Sequence, residues 1–181
     1  MKLSARERIL LTAHDLFYRD GIRATGIDKV IAESGVTKVT FYRHFPSKNA
    51  LILAFLDYRH ERWMTWFTEA LARNGAKPGG GLIPIVPALA EWFNNPIYRG
   101  CAFINSVAEF GGTFPEVLAI SAQHKRDMIA VVADLIPESE RKAELANAVA
   151  IAIDGAIVRA QFETEPDQVL TSLEIIMHAL N

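Results

Sequence analysis

Gly35-Val36-Thr37-Lys38-Val39-Thr40-Phe41-Tyr42-Arg43-His44-Phe45-Pro46-Ser47-Lys48 decides how this chain folds. Gly35 tolerates positive φ and permits a sharp turn, Thr37 is a good helix N-cap, and Pro46 stops the helix that follows. At 100° per residue Phe41 and Phe45 share one face, an i, i+4 pair suited to anchoring on a core. Val39 and Arg43 point almost directly away from them, flanked by Thr40 and Tyr42. Outside stand a cation, hydroxyls and a bare β-branched side chain, the chemistry that a DNA major groove accepts.

Working outward, Ser4 with Glu7 three residues on opens a first helix, predicted to run to about Arg19 and to stop at Gly21. Its apolar stripe is Ile9, Leu10, Ala13, Leu16 and Phe17. Thr25, with Asp28 three residues on, has capping-box spacing and opens a second helix that ends at Ser34. Two helices joined by a turn containing glycine make a helix-turn-helix. A generic αα-corner is the alternative, but its outer face has no reason to carry Thr40, Tyr42, Arg43 and Lys48 together. From Ser47 a long helix is expected to about Asn74. The run Gly75-Ala76-Lys77-Pro78-Gly79-Gly80-Gly81 then reads as a loop. Further helices are expected at about 84–94, 101–110, 115–135, 138–162 and 167–180, with breaks at Asn95-Pro96, Pro137 and Glu165-Pro166. No alternating strand is found, so the fold class is all-α: an N-terminal three-helix bundle over 1–46, then a helical ligand-binding and dimerisation domain over 47–181.

Charge is divided unevenly along the 181 residues. Residues 1–49 hold nine of the 19 Lys/Arg and five of the 21 Asp/Glu, a net of +4 that leaves −6 for the remainder. A basic first part suits a polyanionic partner. Cys101 is the only cysteine, which rules out an intrachain disulfide and a Cys-based zinc framework and suits a reducing cytoplasm. The five histidines show no i, i+4 pair, so neither a metal nor a cofactor is expected. No signal peptide is read at the N-terminus, and the most apolar stretch, 145–158, is too short and interrupted to cross a bilayer. Hydrolase elbow, P-loop and dinucleotide fingerprints are missing, so no catalytic residues are assigned.

The first 55 residues or so resemble the DNA-binding domain of the tetracycline-repressor (TetR/AcrR) family of bacterial transcription regulators. The resemblance rests on Ala13-x-x-Leu16-Phe17-x-x-x-Gly21, the helix start at Thr25, Ile31-Ala32-x-x-Gly35-Val36-Thr37-Lys38, and Phe41-Tyr42-x-x-Phe45-x-x-Lys48. It implies a homodimeric, ligand-responsive regulator, a repressor released from a palindromic operator on double-stranded DNA by a small apolar or amphipathic effector. From side-chain chemistry, Val39 suits a thymine methyl, Thr40 a base edge or phosphate, and Arg43 guanine O6/N7. The resemblance places Thr37, Lys38, Tyr42, His44 and Lys48 at or near phosphates, and it adds Thr25 to the DNA-binding residues as well as giving it the cap of the second helix. Two residues depart from the pattern. Gly26 stands where many relatives have a hydroxyl, and Val39 stands where glycine is common, which argues for a different operator preference.

One such helix reads too few bases for a genome, so two copies with half-sites roughly 34–36 Å apart are expected. Val149, Ile153, Ala156, Ile157, Ala160, Leu173, Ile176 and Met177 are the candidate dimer interface, although the same stripes would also serve the protein's own core. Candidate effector residues are Trp63, Phe67, Trp92, Phe103, Asn105, Glu109, His124 and Arg159: aromatics, and polar groups set in apolar runs. The alternative is a thiol-based redox regulator acting through Cys101.

Overall fold

A computed structural model describes residues 3–163 and 165–180. Among them are nine α-helices and no strand: α1 Ala5–Asp20, α2 Ile27–Ser34, α3 Lys38–His44, α4 Lys48–Arg73, α5 Ile85–Phe93, α6 Ala102–Phe110, α7 Pro115–Leu135, α8 Lys142–Arg159 and α9 Asp167–Leu180. The all-α expectation is met. The chain divides into two compact units. One takes the chain up to Glu61 together with Ala102–Ser121; the other takes Arg62–Cys101 and the chain from Ala122 on.

In the first unit α1 begins with the expected capping box. Ser4 Oγ accepts from Glu7 N at 3.2 Å, and Glu7 Oε2 accepts from Ser4 N at 2.7 Å. Ile9, Ala13, Leu16 and Phe17 of α1 are buried in the core with Val30, Phe41, Phe45, Leu51 and Phe55. Phe17 meets Phe55 edge-on with ring centroids 5.5 Å apart, a favoured aromatic geometry. The expected cap on α2 does not form. Gly26 is the N-cap residue and supplies no side chain, while Thr25 is buried and its Oγ1 donates to Gly21 O at 2.8 Å. The hydroxyl serves the end of α1 rather than the start of α2, because the part-buried Gly21 carbonyl beside it also needs a partner.

The second unit is built on Phe67, Leu82, Ile85, Leu89, Met128, Val132, Val149, Ile153, Leu173 and Met177. The glycine loop has a definite role there. Gly79 N and Gly81 N, both at positive φ, donate to Asp134 O (2.8 Å) and Leu135 O (2.9 Å), capping carbonyls at the end of α7 that have no helical partner. Tyr98 Oη donates to Ile157 O at 2.6 Å. Helix α8 starts later and ends sooner than the expected 138–162. Lys142 reaches back to Glu138 at 2.6 Å across a non-helical segment, and residues 160–162 form a turn. No helix among the described residues is long and apolar enough to cross a membrane.

Candidate nucleic-acid interface

Helix α3 is presented as its periodicity requires. Phe41 is fully buried and Phe45 nearly so, whereas Val39 is 70% exposed. Thr37 caps the helix, its Oγ1 accepting from Thr40 N at 3.2 Å and lying 2.9 Å from the Thr40 hydroxyl. The turn before it is braced from α1. Gly35 sits in the left-handed region at φ 64°, and Arg8 Nη1 donates to Ser34 O (3.0 Å) and Gly35 O (3.3 Å). The Arg6 guanidinium lies 5.3 Å over the Phe45 ring, holding the end of α3 by a cation–π contact. The sequence motif shows neither arginine brace, since both act across turns far apart along the chain.

With Phe41 and Phe45 inside, Lys38, Val39, Tyr42 and Arg43 are exposed together, and Thr40 and His44 are half-buried beside them. Lys38 Nζ stands 3.7 Å from Asp28 Oδ1, with both side chains in solvent, so this pair leaves the lysine available. Tyr42 packs edge-on against Phe41 at 5.3 Å while its outer part is open. One sequence expectation fails here, and a second residue has a partner inside the fold. Thr25 is buried, so it offers nothing to a partner. Lys48 turns inward: its Nζ donates to Ile22 O at 2.6 Å and lies 6.0 Å over the Phe17 ring. Burial pushes its ammonium below the usual lysine range, partly offset by the Glu109 carboxylate.

Residues 9–55, the stretch that builds this head, match the family model "Bacterial regulatory proteins, tetR family". The whole chain superposes on a TetR-family transcriptional regulator from Streptomyces coelicolor with a TM-score of 0.86 and 28% identity, over 97% of this chain and 87% of that one. Residues 9–55 are a TetR-family DNA-binding domain. Among curated relatives, the chain is 43% identical over 53 residues to an uncharacterized HTH-type regulator, YerO, of Bacillus subtilis, and 26% identical over 107 residues to one from Lactococcus lactis. Those alignments take in 29% and 59% of this chain but only 18% and 55% of the relatives' own lengths.

The candidate effector residues divide into two groups and one single residue, Arg159. Trp63, Phe67, Trp92 and His124 lie in the second unit and touch one another. Trp63 stacks on Phe67 at 4.7 Å and meets His124 at 5.0 Å and Trp92 at 5.7 Å. Trp66, absent from the sequence expectation, joins the cluster 5.8 Å from Trp92. The Trp63 indole Nε1–H is buried with no hydrogen-bond partner. Phe103, Asn105 and Glu109 belong to the first unit. Phe103 is core, and Glu109 is engaged with the α1–α2 connection: Ile22 N donates to its Oε1 at 3.2 Å and Arg23 N to its Oε2 at 2.7 Å. Arg159 is an exposed residue paired with Glu163 at 2.8 Å, on the rim of a surface groove. Glu109 and Arg159 thus each have a partner within their own unit. Polarity within an apolar run marked them.

Six of the eight candidate dimer residues, Val149, Ile153, Ala156, Ile157, Leu173 and Met177, are buried inside their own fold. Ile176 is exposed and Ala160 half-buried. The apolar surface on α8 and α9 is instead Ile151, Val158, Ile175 and Ile176. A groove of about 660 Å³ runs there, lined by Ile151, Gly155, Val158, Leu173 and Ile176 among others. The stripe chosen from sequence faces mostly inward but gives Ala156, Leu173 and Ile176 to this groove, and the neighbouring stripe supplies the rest of its apolar lining.

Proposed function

We propose that this protein is a homodimeric DNA-binding transcription regulator whose operator affinity is set by a small apolar or amphipathic effector. The observation that carries the DNA reading is the orientation of α3. Burial of Phe41 and Phe45 leaves Val39, Thr40 and Arg43 as the groove face, with Thr37, Lys38, Tyr42 and His44 at its edge for phosphates. Helix α4 links this head, residues 1–46, to the body that takes the effector. An effector that binds one arrangement of α4 better than another shifts operator affinity by that difference in binding. The aromatic cluster at Trp63, Phe67, Trp92 and His124 supports an aromatic or apolar ligand, and the unpaired Trp63 N–H offers it one hydrogen bond. The outward face of Ile151, Val158 and Ile176, with Gly155 allowing close approach, supports pairing of α8 and α9 with a second copy. Repression is the favoured sign. A curated relative 24% identical over 78% of this chain is a transcriptional repressor of Brucella suis, BepR.

The test is selection of bound fragments from genomic DNA by the purified protein, with mass measured by light scattering. A palindrome with half-sites about one helical turn apart is expected from a dimer. Salt-sensitive binding without sequence preference would defeat the reading. A second reading, a thiol switch, draws support from one contact: Lys125 Nζ lies 3.6 Å from the buried Cys101 Sγ and 2.5 Å from Asp154 Oδ1. Loss of operator binding after mild peroxide in the wild type, and not in Cys101→Ser, would favour it over ligand gating.

A further inference from the structure

The α1–α2 connection carries an arrangement that the three-helix head does not supply from its own sequence. The Ile22 and Arg23 amides, the first two after Gly21, both point at one carboxylate, that of Glu109 on α6, 87 and 86 residues further along the chain. Hydrogen bonds from amides to an ionised carboxylate are short and roughly twice as strong as neutral ones. The Ile22 carbonyl, on the other side of the same residue, accepts from the Lys48 ammonium at 2.6 Å. Ile22 is thus held by an anion at its N–H and a cation at its C=O, and the two charges support each other: the Glu109 carboxylate favours the charged form of Lys48 against its burial. Arg23 adds a third hold, its guanidinium 5.2 Å over the Phe110 ring next to Glu109. Gly21 makes the path possible with φ 88°, a conformation other residues rarely adopt.

This connection sets the angle at which α2 leaves α1, and α2 carries α3 through the Gly35 turn. Helix α2 has no side-chain cap of its own, so its entry depends on the loop that precedes it. We infer that Glu109, with Lys48 as its counter-charge, is a positioning residue for DNA reading: α6 sets the pitch of α3 by clamping the backbone of Ile22 and Arg23. The inference rests on the proposed DNA-reading function and goes beyond it, since it makes a helix outside residues 1–46 a working part of the head.

The experiment uses the full-length protein and the DNA sequence that the wild type selects. Glu109→Gln keeps the shape but removes the negative charge and replaces one acceptor by an NH₂ group that opposes one of the two amides. It should lower affinity for the selected sequence by about tenfold while leaving affinity for random DNA within about twofold, since the latter rests on phosphate contacts alone. Amide hydrogen exchange at Ile22 and Arg23 should accelerate in the same variant, with the exchange of Phe41 unchanged. Lys48→Met strips the cation from the Ile22 carbonyl and leaves both amide bonds, so its loss should be smaller and its salt dependence that of the wild type. A fall of about one in the salt slope would return Lys48 to the phosphates and count against the clamp. Specific and random affinities falling together, or selected-site affinity in Glu109→Gln within about twofold of wild type, would overturn the inference while leaving the proposed function intact. A wild type that selects no sequence would overturn both.

Discussion

Helices α3 and α8 obey the same rule of periodicity, and the rule decides one of them and not the other. On α3 the two phenylalanines lie on one side and the residues opposite them are polar or small, so only one rotation buries both. Phe41 is 0% exposed and Val39 70%, as the periodicity demands. On α8 the segment from Ala146 to Val158 is apolar nearly all round, and several rotations would bury a good stripe. The stripe at Val149, Ile153 and Ile157 went inward, leaving Ile151 at 74% exposure beside a fully buried Ile153. Periodicity states which residues share a face. It does not state which face is inside when both would serve.

The largest effect that sharpens this contrast is on α3. Phe41→Ala should cost about 3–5 kcal/mol by emptying a filled core site, measured by urea denaturation, whereas Val39→Ala should stay within about 0.5 kcal/mol and change only the selected DNA. An equal cost at the two positions would break the assignment of faces. On α8 the same pair of experiments runs across Ile153 and Ile151. Ile153→Ala should cost about 2–5 kcal/mol of stability. Ile151→Asp should leave the monomer folded but shift the measured mass from dimer to monomer, and a dimer that tolerates the new carboxylate would remove α8 from the interface.

A smaller effect is expected of Arg43→Ala, about 1–3 kcal/mol lost at one base position in each half-site, read from binding to single-base operator variants. Even weakening across all variants would make Arg43 a phosphate contact. The smallest concerns Asp20, whose carboxyl is held well below the usual carboxylate range by hydrogen bonds from Arg19 and then Lys29. Its pKa is lower folded than unfolded, so its stabilisation is present above the unfolded value, about pH 4, and fades as pH falls through the folded one. Asp20→Asn should flatten that acid limb of the stability curve, followed by circular dichroism; an unchanged limb would assign the acid dependence to other carboxylates.

The head is legible in the sequence because its signals are local. The Ser4–Glu7 box, the Gly35 turn and the Thr37 cap each act over three or four residues and stand where expected. Thr25 has the right spacing for a cap and does not serve as one, because its hydroxyl has a second acceptor, Gly21 O, brought near only by the fold. Glu109 stands out in sequence as a polar group among apolar neighbours, yet nothing in the sequence names the two amides that it accepts from. Its partners lie more than eighty residues away, and no periodicity carries that information.

By itself the sequence determined an all-helical chain with a helix-turn-helix at its start and Phe41 and Phe45 as the inner side of α3. Those outcomes follow from helix geometry and from the cost of exposing two aromatic rings. Only the tertiary structure decided that Lys48 turns inward, that α8 buries Ile153 and exposes Ile151, and that Glu109 reaches the loop between α1 and α2. Each of those is a competition between distant groups for the same partner or the same core, and it is settled where the groups meet.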